Sequence, residues 1–301
     1  MWKKLFAIAL SLSLIEALPL SKPVFASEIL EQIEETGVIK AGYRLDTPPF
    51  AFVNEEGKSV GYAIDILELI RKQVEEKLGK EVRLELVEIN PLNRFEEVIN
   101  GSIHLECGST TITWEREQRV DFSTSYFASG TQMIVKKDSK LVNSSNLAGV
   151  KIAVIPTTTN EQAMKTFASD AKLVYVGTEE EGWQKLLAGE VEAFAGDGIL
   201  LQGLRKASQQ TENYEIVPEF PYVIESYACT LPPNQSQWRD TVNYGIVKFM
   251  QGVVTDVPSS VDIYERWFGE SAQTPYPREV MADYFQGIVN GYEWILIEER
   301  Y

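Results

Sequence analysis

The chain has 301 residues, with 28 Lys and Arg against 44 Asp and Glu, for a formal net charge of −16 at pH 7. That balance argues against nucleic acid as a partner, because phosphate binding draws on clustered Lys and Arg. With His104 as the only histidine and Cys107 and Cys229 as the only cysteines, no residue group has metal-ligand spacing, and neither a metal nor another cofactor is expected.

The N-terminus sets the compartment. Lys3 and Lys4 precede an apolar run from Leu5 to about Leu18, and Val24-Phe25-Ala26 gives a small-residue cleavage site. This order reads as a signal peptide over residues 1–26, cut after Ala26, which exports the rest to the periplasm. The rival reading is an uncleaved anchor. The run is short against the ~20 apolar residues of a membrane span, and it carries Glu16 and Pro19. No cysteine stands at the cut, so no lipid anchor is expected. Export makes a disulfide permissible, the alternative being two buried thiols.

Helical and extended patterns then alternate. Residues 28–36 read as a helix ended by Gly37, and Val38 to Tyr43 as a strand. Apolar residues at 64, 67, 70, 74 and 78 predict a helix from Tyr62 to Leu78, with Gly79 after it. Val82, Leu84 and Leu86 alternate as a strand, Asn93 to Asn100 reads as a short helix, and Ile103 to Cys107 as another strand. A second such series follows Gly130, with strands at Lys151–Ile155, Leu173–Val176 and Val191–Ala195. Its helices are expected at Thr159–Phe167, Glu179–Ala188 and Gly198–Lys206. Thr158 with Glu161, and Thr178 with Glu181, have capping-box spacing. Helices are expected from Ser236 onward. The alternation predicts an α/β fold of parallel sheet and flanking helices. Tyr126 to Gly130 and Val223 to Tyr227 are short extended crossings of the kind a hinge between two lobes requires.

Several local motifs are specific in their order and spacing. Tyr43-Arg44-Leu45-Asp46-Thr47-Pro48-Pro49-Phe50 is followed by Gly61-Tyr62-Ala63-Ile64-Asp65-Ile66. Next come Glu106-Cys107-Gly108-Ser109-Thr110-Thr111-Ile112-Thr113-Trp114-Glu115-Arg116, then Val120-Asp121-Phe122-Ser123. Ile263-Tyr264-Glu265-Arg266-Trp267-Phe268-Gly269 closes the series. Over roughly residues 38–270 the chain resembles the family 3 extracellular solute-binding proteins, and within them the members that serve uptake of acidic amino acids by ABC transporters. The resemblance implies two doubly wound lobes joined by a two-segment hinge (periplasmic binding protein type II), with the ligand clamped between them. Lobe 1 is then expected over 27–126 and 227–301, lobe 2 over 131–222, and the hinge over 127–130 and 223–226.

The resemblance also implies roles. Arg116 takes the carboxylate-binding position, where a guanidinium can hold both oxygens; on residue type alone it reads as a surface arginine paired with Glu115 or Glu117. Ser109 and Thr111 match ligand-touching positions that otherwise read as turn residues. Thr158 and Thr159 open a helix whose free amides attract an anion, and capping by Thr158 is compatible with that. Asp197, between a strand and a helix, matches the acceptor of the ligand ammonium, its plain alternative being an N-cap. Arg44 and Arg94 match cations around a second, side-chain carboxylate. Glu179 departs from the pattern, since the acidic-ligand members have a histidine there, and Pro91 replaces a serine. A carboxylate at 179 repels a ligand carboxylate unless an arginine screens it, so glutamine and asparagine stand beside glutamate and aspartate as ligands. The resemblance pairs Cys107 with Cys229 in a disulfide. It implies a monomer that delivers its ligand to a membrane permease and is not an enzyme. The alternatives are a cyclohexadienyl or arogenate dehydratase-like enzyme on the same fold, or a ligand-sensing domain.

Overall fold

The computed structural model describes residues 28–143 and 146–297. The expected signal peptide and the end of the C-terminal tail lie outside the described residues. The order begins α1 (Glu28–Thr36), β1 (Val38–Tyr43), β2 (Asp46–Thr47), β3 (Ala51–Val53), β4 (Ser59–Val60) and α2 (Tyr62–Leu78). It continues with β5 (Arg83–Glu88), α3 (Arg94–Ile99), β6 (Leu105–Glu106), a 3-10 turn at Arg116–Gln118 and β7 (Asp121–Lys136). The second series is β8 (Lys151–Val154), α4 (Thr159–Phe167), β9 (Lys172–Tyr175), α5 (Glu179–Leu187), β10 (Ala193–Asp197), α6 (Gly198–Ala207) and β11 (Tyr214–Val217). Then come β12 (Ile224–Leu231), α7 (Ser236–Val254), α8 (Pro258–Phe268) and α9 (Arg278–Val289).

The main sheet runs β5-β1-β6-β12-β7-β10-β8-β9, with β11 also on β7. Its two ends are parallel: β1 pairs with β5 and β6, and β8 with β9 and β10. The middle is antiparallel, which the α/β alternation did not predict. β7 pairs with β12 over its first part and with β10 and β11 over its last. The expected crossings are therefore strands paired with each other, Ile224 opposite Gly130 and Tyr227 opposite Phe127. The first was hard to recognise as part of one long strand because β7 follows no simple alternation of buried and exposed residues. Gly130 is required at this junction: a Cβ there would stand 2.3 Å from Val223 O and 2.6 Å from Pro221.

Two lobes result, each with helices packed on a sheet. In the first, α2 buries Ile66, Leu67, Ile70 and Val74 against β1 and α7, each such side chain contributing about 2 kcal/mol. The helix ends at Gly79, whose left-handed φ of 65° suits glycine. Phe50, Tyr62, Phe127, Tyr227 and Phe268 form one buried aromatic group with neighbouring ring centroids 4.9–6.3 Å apart. In the second lobe, alternate residues of β7 and β10 face two cores. Met133, Val135, Ala193 and Ala195 lie in one, and Ile134 and Phe194 in the other. The small sheet β2-β3-β4 was not foreseen; its strands are only two or three residues long.

Candidate functional site

The chemistry-bearing side chains collect where the carboxyl ends of β1, β6, β8, β9 and β10 meet, the usual place for a ligand in open α/β sheets. Arg44 follows β1, Arg94 opens α3, and Ser109 to Arg116 lie in the loop after β6. Thr158 and Thr159 open α4, Glu179 opens α5, and Asp197 ends β10. All nine expected residues are thus in this region. Of them Arg44, Arg94, Ser109, Thr111, Glu179 and Asp197 are buried.

The loop after β6 is fixed from below. Cys107, just after β6, and Cys229 of β12 form a disulfide with Cα atoms 4.3 Å apart. Fully buried Glu106 accepts from the hydroxyls of Thr110 at 3.0 Å and Thr230 at 2.9 Å. Burial raises its pKa, and Arg94 opposes that rise. The backbone of Thr111 pairs with Tyr227 of β12. Arg116 Nη1 donates to Thr111 O at 2.7 Å, which orients the guanidinium over the Phe95 ring, 5.4 Å from its centroid. Arg94 stands 4.9 Å from the same ring. Burial pushes the Arg94 pKa down to about 9, with Arg116 adding like-charge repulsion. Desolvation likewise lowers Arg116, against the attraction of Glu225, Glu106 and Asp197.

The second lobe supplies anions and helix starts. The Thr158 hydroxyl donates to Ile155 O at 2.7 Å and accepts from Glu161 N at 3.2 Å, while Thr157 N donates to Glu161 Oε2 at 2.7 Å. The Thr158 half of the capping box forms, while Glu161 reaches back one residue further, to Thr157 N, so the Thr158 hydroxyl is committed to the helix. Thr178 and Glu181 form its counterpart on α5. Asp197, in contrast, makes no capping hydrogen bond to α6, and its Oδ1 is buried without a hydrogen-bond partner. Burial drives its pKa well up, and Glu225 and Glu179 push it further. Glu179 is raised to about 7 by burial, with Arg44 opposing and Asp46 reinforcing the rise.

Arg44 is more engaged than the sequence suggested. Its Nε donates to Asp46 Oδ1 at 3.1 Å, and its Nη2 lies 3.0 Å from the same oxygen and 3.6 Å from Glu179 Oε1. Glu225 was missed altogether, although it lies in one of the expected hinge segments. Its carboxylate accepts from Thr111 at 2.5 Å and Thr159 at 2.6 Å, and the Thr131 hydroxyl stands 3.0 Å from Oε1. The available signal was one acid within the extended run Val223-Ile224-Glu225-Ser226-Tyr227. Tyr227 was likewise read only as backbone, yet its buried hydroxyl faces Asp197 and Glu225.

Among the described residues, the buried side-chain polar atoms without a hydrogen-bond partner are Arg44 Nη2, Arg94 Nε, Asp197 Oδ1, Tyr227 Oη and Arg205 Nε. All but the last lie in this cluster, where such groups are costly unless satisfied. Of the expected site residues, Arg116, Thr158 and Thr159 line a cleft of about 600 Å³, together with Phe95, Thr113 and Thr157. A groove of about 430 Å³ elsewhere, between α7 and residues 292–296, is lined by the acids Asp240 and Glu293 and by no cation. Its lining offers a ligand carboxylate no cationic side chain.

The model of the bacterial extracellular solute-binding proteins, family 3, matches residues 39–270. The chain belongs to that family. It is 30% identical to the glutamate/aspartate import solute-binding protein of Escherichia coli (strain K12), over 91% of this chain and 88% of that protein. It is 28% identical to a glutamine-binding protein of an ABC transporter from Bacillus subtilis (strain 168), over 81% of this chain and 85% of the relative. Among solved structures, an ancestral amino acid-binding protein, a precursor of cyclohexadienyl dehydratase, aligns with a TM-score of 0.66 at 25% identity. That alignment covers 79% of this chain and 98% of the other. The family membership makes this an amino-acid solute-binding protein with the two-lobed fold, and its relatives are transport proteins.

Proposed function

We propose that the chain binds a polar L-amino acid of the Glu/Asp/Gln/Asn group between its lobes, outside the cytoplasm in the periplasm, and delivers it to the permease of an ABC transporter. The supporting observation is the set of unsatisfied buried groups of both signs at the lobe junction. A zwitterion has a carboxylate and an ammonium on one carbon, so its site needs donors on one side and an acid on the other. Arg116 holds the α-carboxylate in this reading, aided by Ser109, Thr111 and the start of α4 at Thr158–Thr159. Asp197 accepts from the ammonium, and an ammonium beside it favours its ionised form. Arg44, Arg94 and Glu179 surround the side chain.

Lobe 1 is assigned to 27–126 and 227–301, lobe 2 to 131–222, and the hinge to 127–130 and 223–226, with the signal peptide at 1–26 removed. The unliganded protein opens about the hinge, and ligand contacts made across both lobes favour closure. The protein acts as a monomer without a cofactor. A melting-temperature screen against the twenty amino acids tests the reading. A rise with members of the Glu/Asp/Gln/Asn group is expected, and no rise with any amino acid overturns it.

A second reading is a dehydratase-like enzyme, favoured by the Glu179 pKa of about 7, suited to proton transfer. His104 offers it no help: its Nδ1 accepts from Lys40 N at 3.2 Å, at the opposite end of β6 from the site. Turnover of prephenate or arogenate would establish this reading, and the absence of turnover excludes those substrates.

A further inference from the structure

We propose that Glu179 is the specificity-determining residue of the buried charged cluster, and that by pairing with Arg44 it biases the site towards a carboxamide side chain and against a carboxylate. This rests on the proposed amino-acid binding at the same site.

The argument starts from what Arg44 can still offer. Its Nε donates to Asp46 Oδ1 at 3.1 Å, and its Nη2 stands 3.0 Å from that oxygen and 3.6 Å from Glu179 Oε1 as an ion pair without a hydrogen bond. Arg44 and Glu179 are 5% and 8% exposed, so water does little to weaken the pair. Arg44 therefore faces two carboxylates before any ligand arrives. Arg116 is assigned to the α-carboxylate, and Arg94 is opposed by Glu106 beneath it. No cation in the cluster is left without an acid near it.

The groups facing Glu179 come from several elements. Arg44 and Asp46 approach from the β1–β2 side, and Asp197 from the end of β10, with Glu225 and Tyr227 behind it. The Glu179 carboxylate also lies close enough to β10 that a Cβ on Gly196 would stand 3.8 Å from Oε2. A second carboxylate on the ligand adds one more anion to this acidic group. A carboxamide adds none, and its NH2 can donate to Glu179 while its oxygen accepts from an arginine. Protonation of Glu179 removes the penalty and lets its hydroxyl donate to a ligand carboxylate. Binding of an acidic ligand then takes up a proton, and binding of an amide does not.

Titration calorimetry with L-glutamine and L-glutamate, at pH 8 and pH 6, on the wild type and E179Q, tests this. The wild type should bind glutamine more tightly at pH 8, and the glutamate-to-glutamine affinity ratio should rise as pH falls. At pH 8, E179Q should raise that ratio at least about tenfold, a change within the range of a buried charge–charge contact. The pH dependence of the ratio should shrink in the variant. Repeating the glutamate titration in buffers of different ionisation heat should show proton uptake at pH 8 in the wild type and less in E179Q. An E179Q ratio equal to that of the wild type overturns the proposal while leaving amino-acid binding intact. Binding of neither ligand, and of no other amino acid, removes the underlying function as well.

Discussion

In the proposed division the first lobe carries Arg44, Arg94 and Arg116 of the cluster and the second carries Glu179 and Asp197. The first-lobe group is built on rigid parts: a disulfide, a hydroxyl-clamped Glu106 and a large aromatic core beneath. The second-lobe group stands on strand ends and helix starts, with Thr158 and Thr178 capping the helices. The difference teaches that each half keeps a few buried polar atoms unsatisfied, Arg44 Nη2 and Arg94 Nε on one side and Asp197 Oδ1 on the other. On the proposed reading, Arg116 and Asp197 stand on opposite sides of the hinge, so a ligand carrying both signs gains most when the lobes meet. Glu225 belongs to neither side alone, since it joins Thr111 of the first-lobe loop to Thr159 of α4.

This contrast can be broken most directly at its two poles. Arg116→Ala should weaken amino-acid binding by about 4 kcal/mol, near a thousandfold, because it leaves a carboxylate unpaired in a desolvated site. Asp197→Asn should also weaken binding, by a smaller factor, since the amide oxygen still accepts from an ammonium. Calorimetry checks both, and a circular-dichroism melt checks that each variant folds. The rigidity of the first lobe is tested by replacing both Cys107 and Cys229 with Ser. The disulfide closes a sequence separation of 122 residues, and its loss should cost on the order of 3 kcal/mol in urea unfolding.

Glu179 gives the next effect. Its folded pKa of about 7 lies above the ordinary glutamate value of 4.5, so the folded protein holds this proton more tightly than the unfolded chain. The contribution is fully present below pH 4.5 and is lost as pH rises through about 7, by up to on the order of 3 kcal/mol. His104 acts oppositely: burial lowers it from 6.5 to about 4, so its neutral form's contribution is lost as pH falls through that window. Subtracting the E179Q stability profile from the wild-type profile cancels the His104 part. The remaining difference should fall between pH 4.5 and 7. The smallest effect is local: Thr158→Ala removes the cap of α4 and should cost about 1 kcal/mol, with binding changed less than by Arg116→Ala.

Legibility followed the reach of each signal. Helices with a clear apolar stripe and a capping residue, such as α2 and α4, were read to the residue, because the pattern and the cap lie within the element. Strands were read to within a residue or two where short apolar runs were bounded by turns. β7 was read as a crossing rather than as a strand of 16 residues, since its partners β12, β10 and β11 all come later in the chain. Among the site residues, types and motif order pointed to Arg116 and Asp197. Nothing local distinguished Glu225 from any other acid, because its role is defined by hydroxyls 66 to 114 positions away.

The sequence by itself determined the acidic charge, the alternation of helices and strands, the helix caps and the family to which the motifs belong. These depend on side-chain chemistry and on contacts within one turn or one strand. Only the tertiary structure decided that Arg44 is held by Asp46 and Glu179, that Asp197 does not cap α6, and that Glu225 ties loop to helix. Those are questions of which charges share one buried space. Coulomb and desolvation energies depend on distance and burial, and both are set only when strands far apart in the chain come to lie side by side.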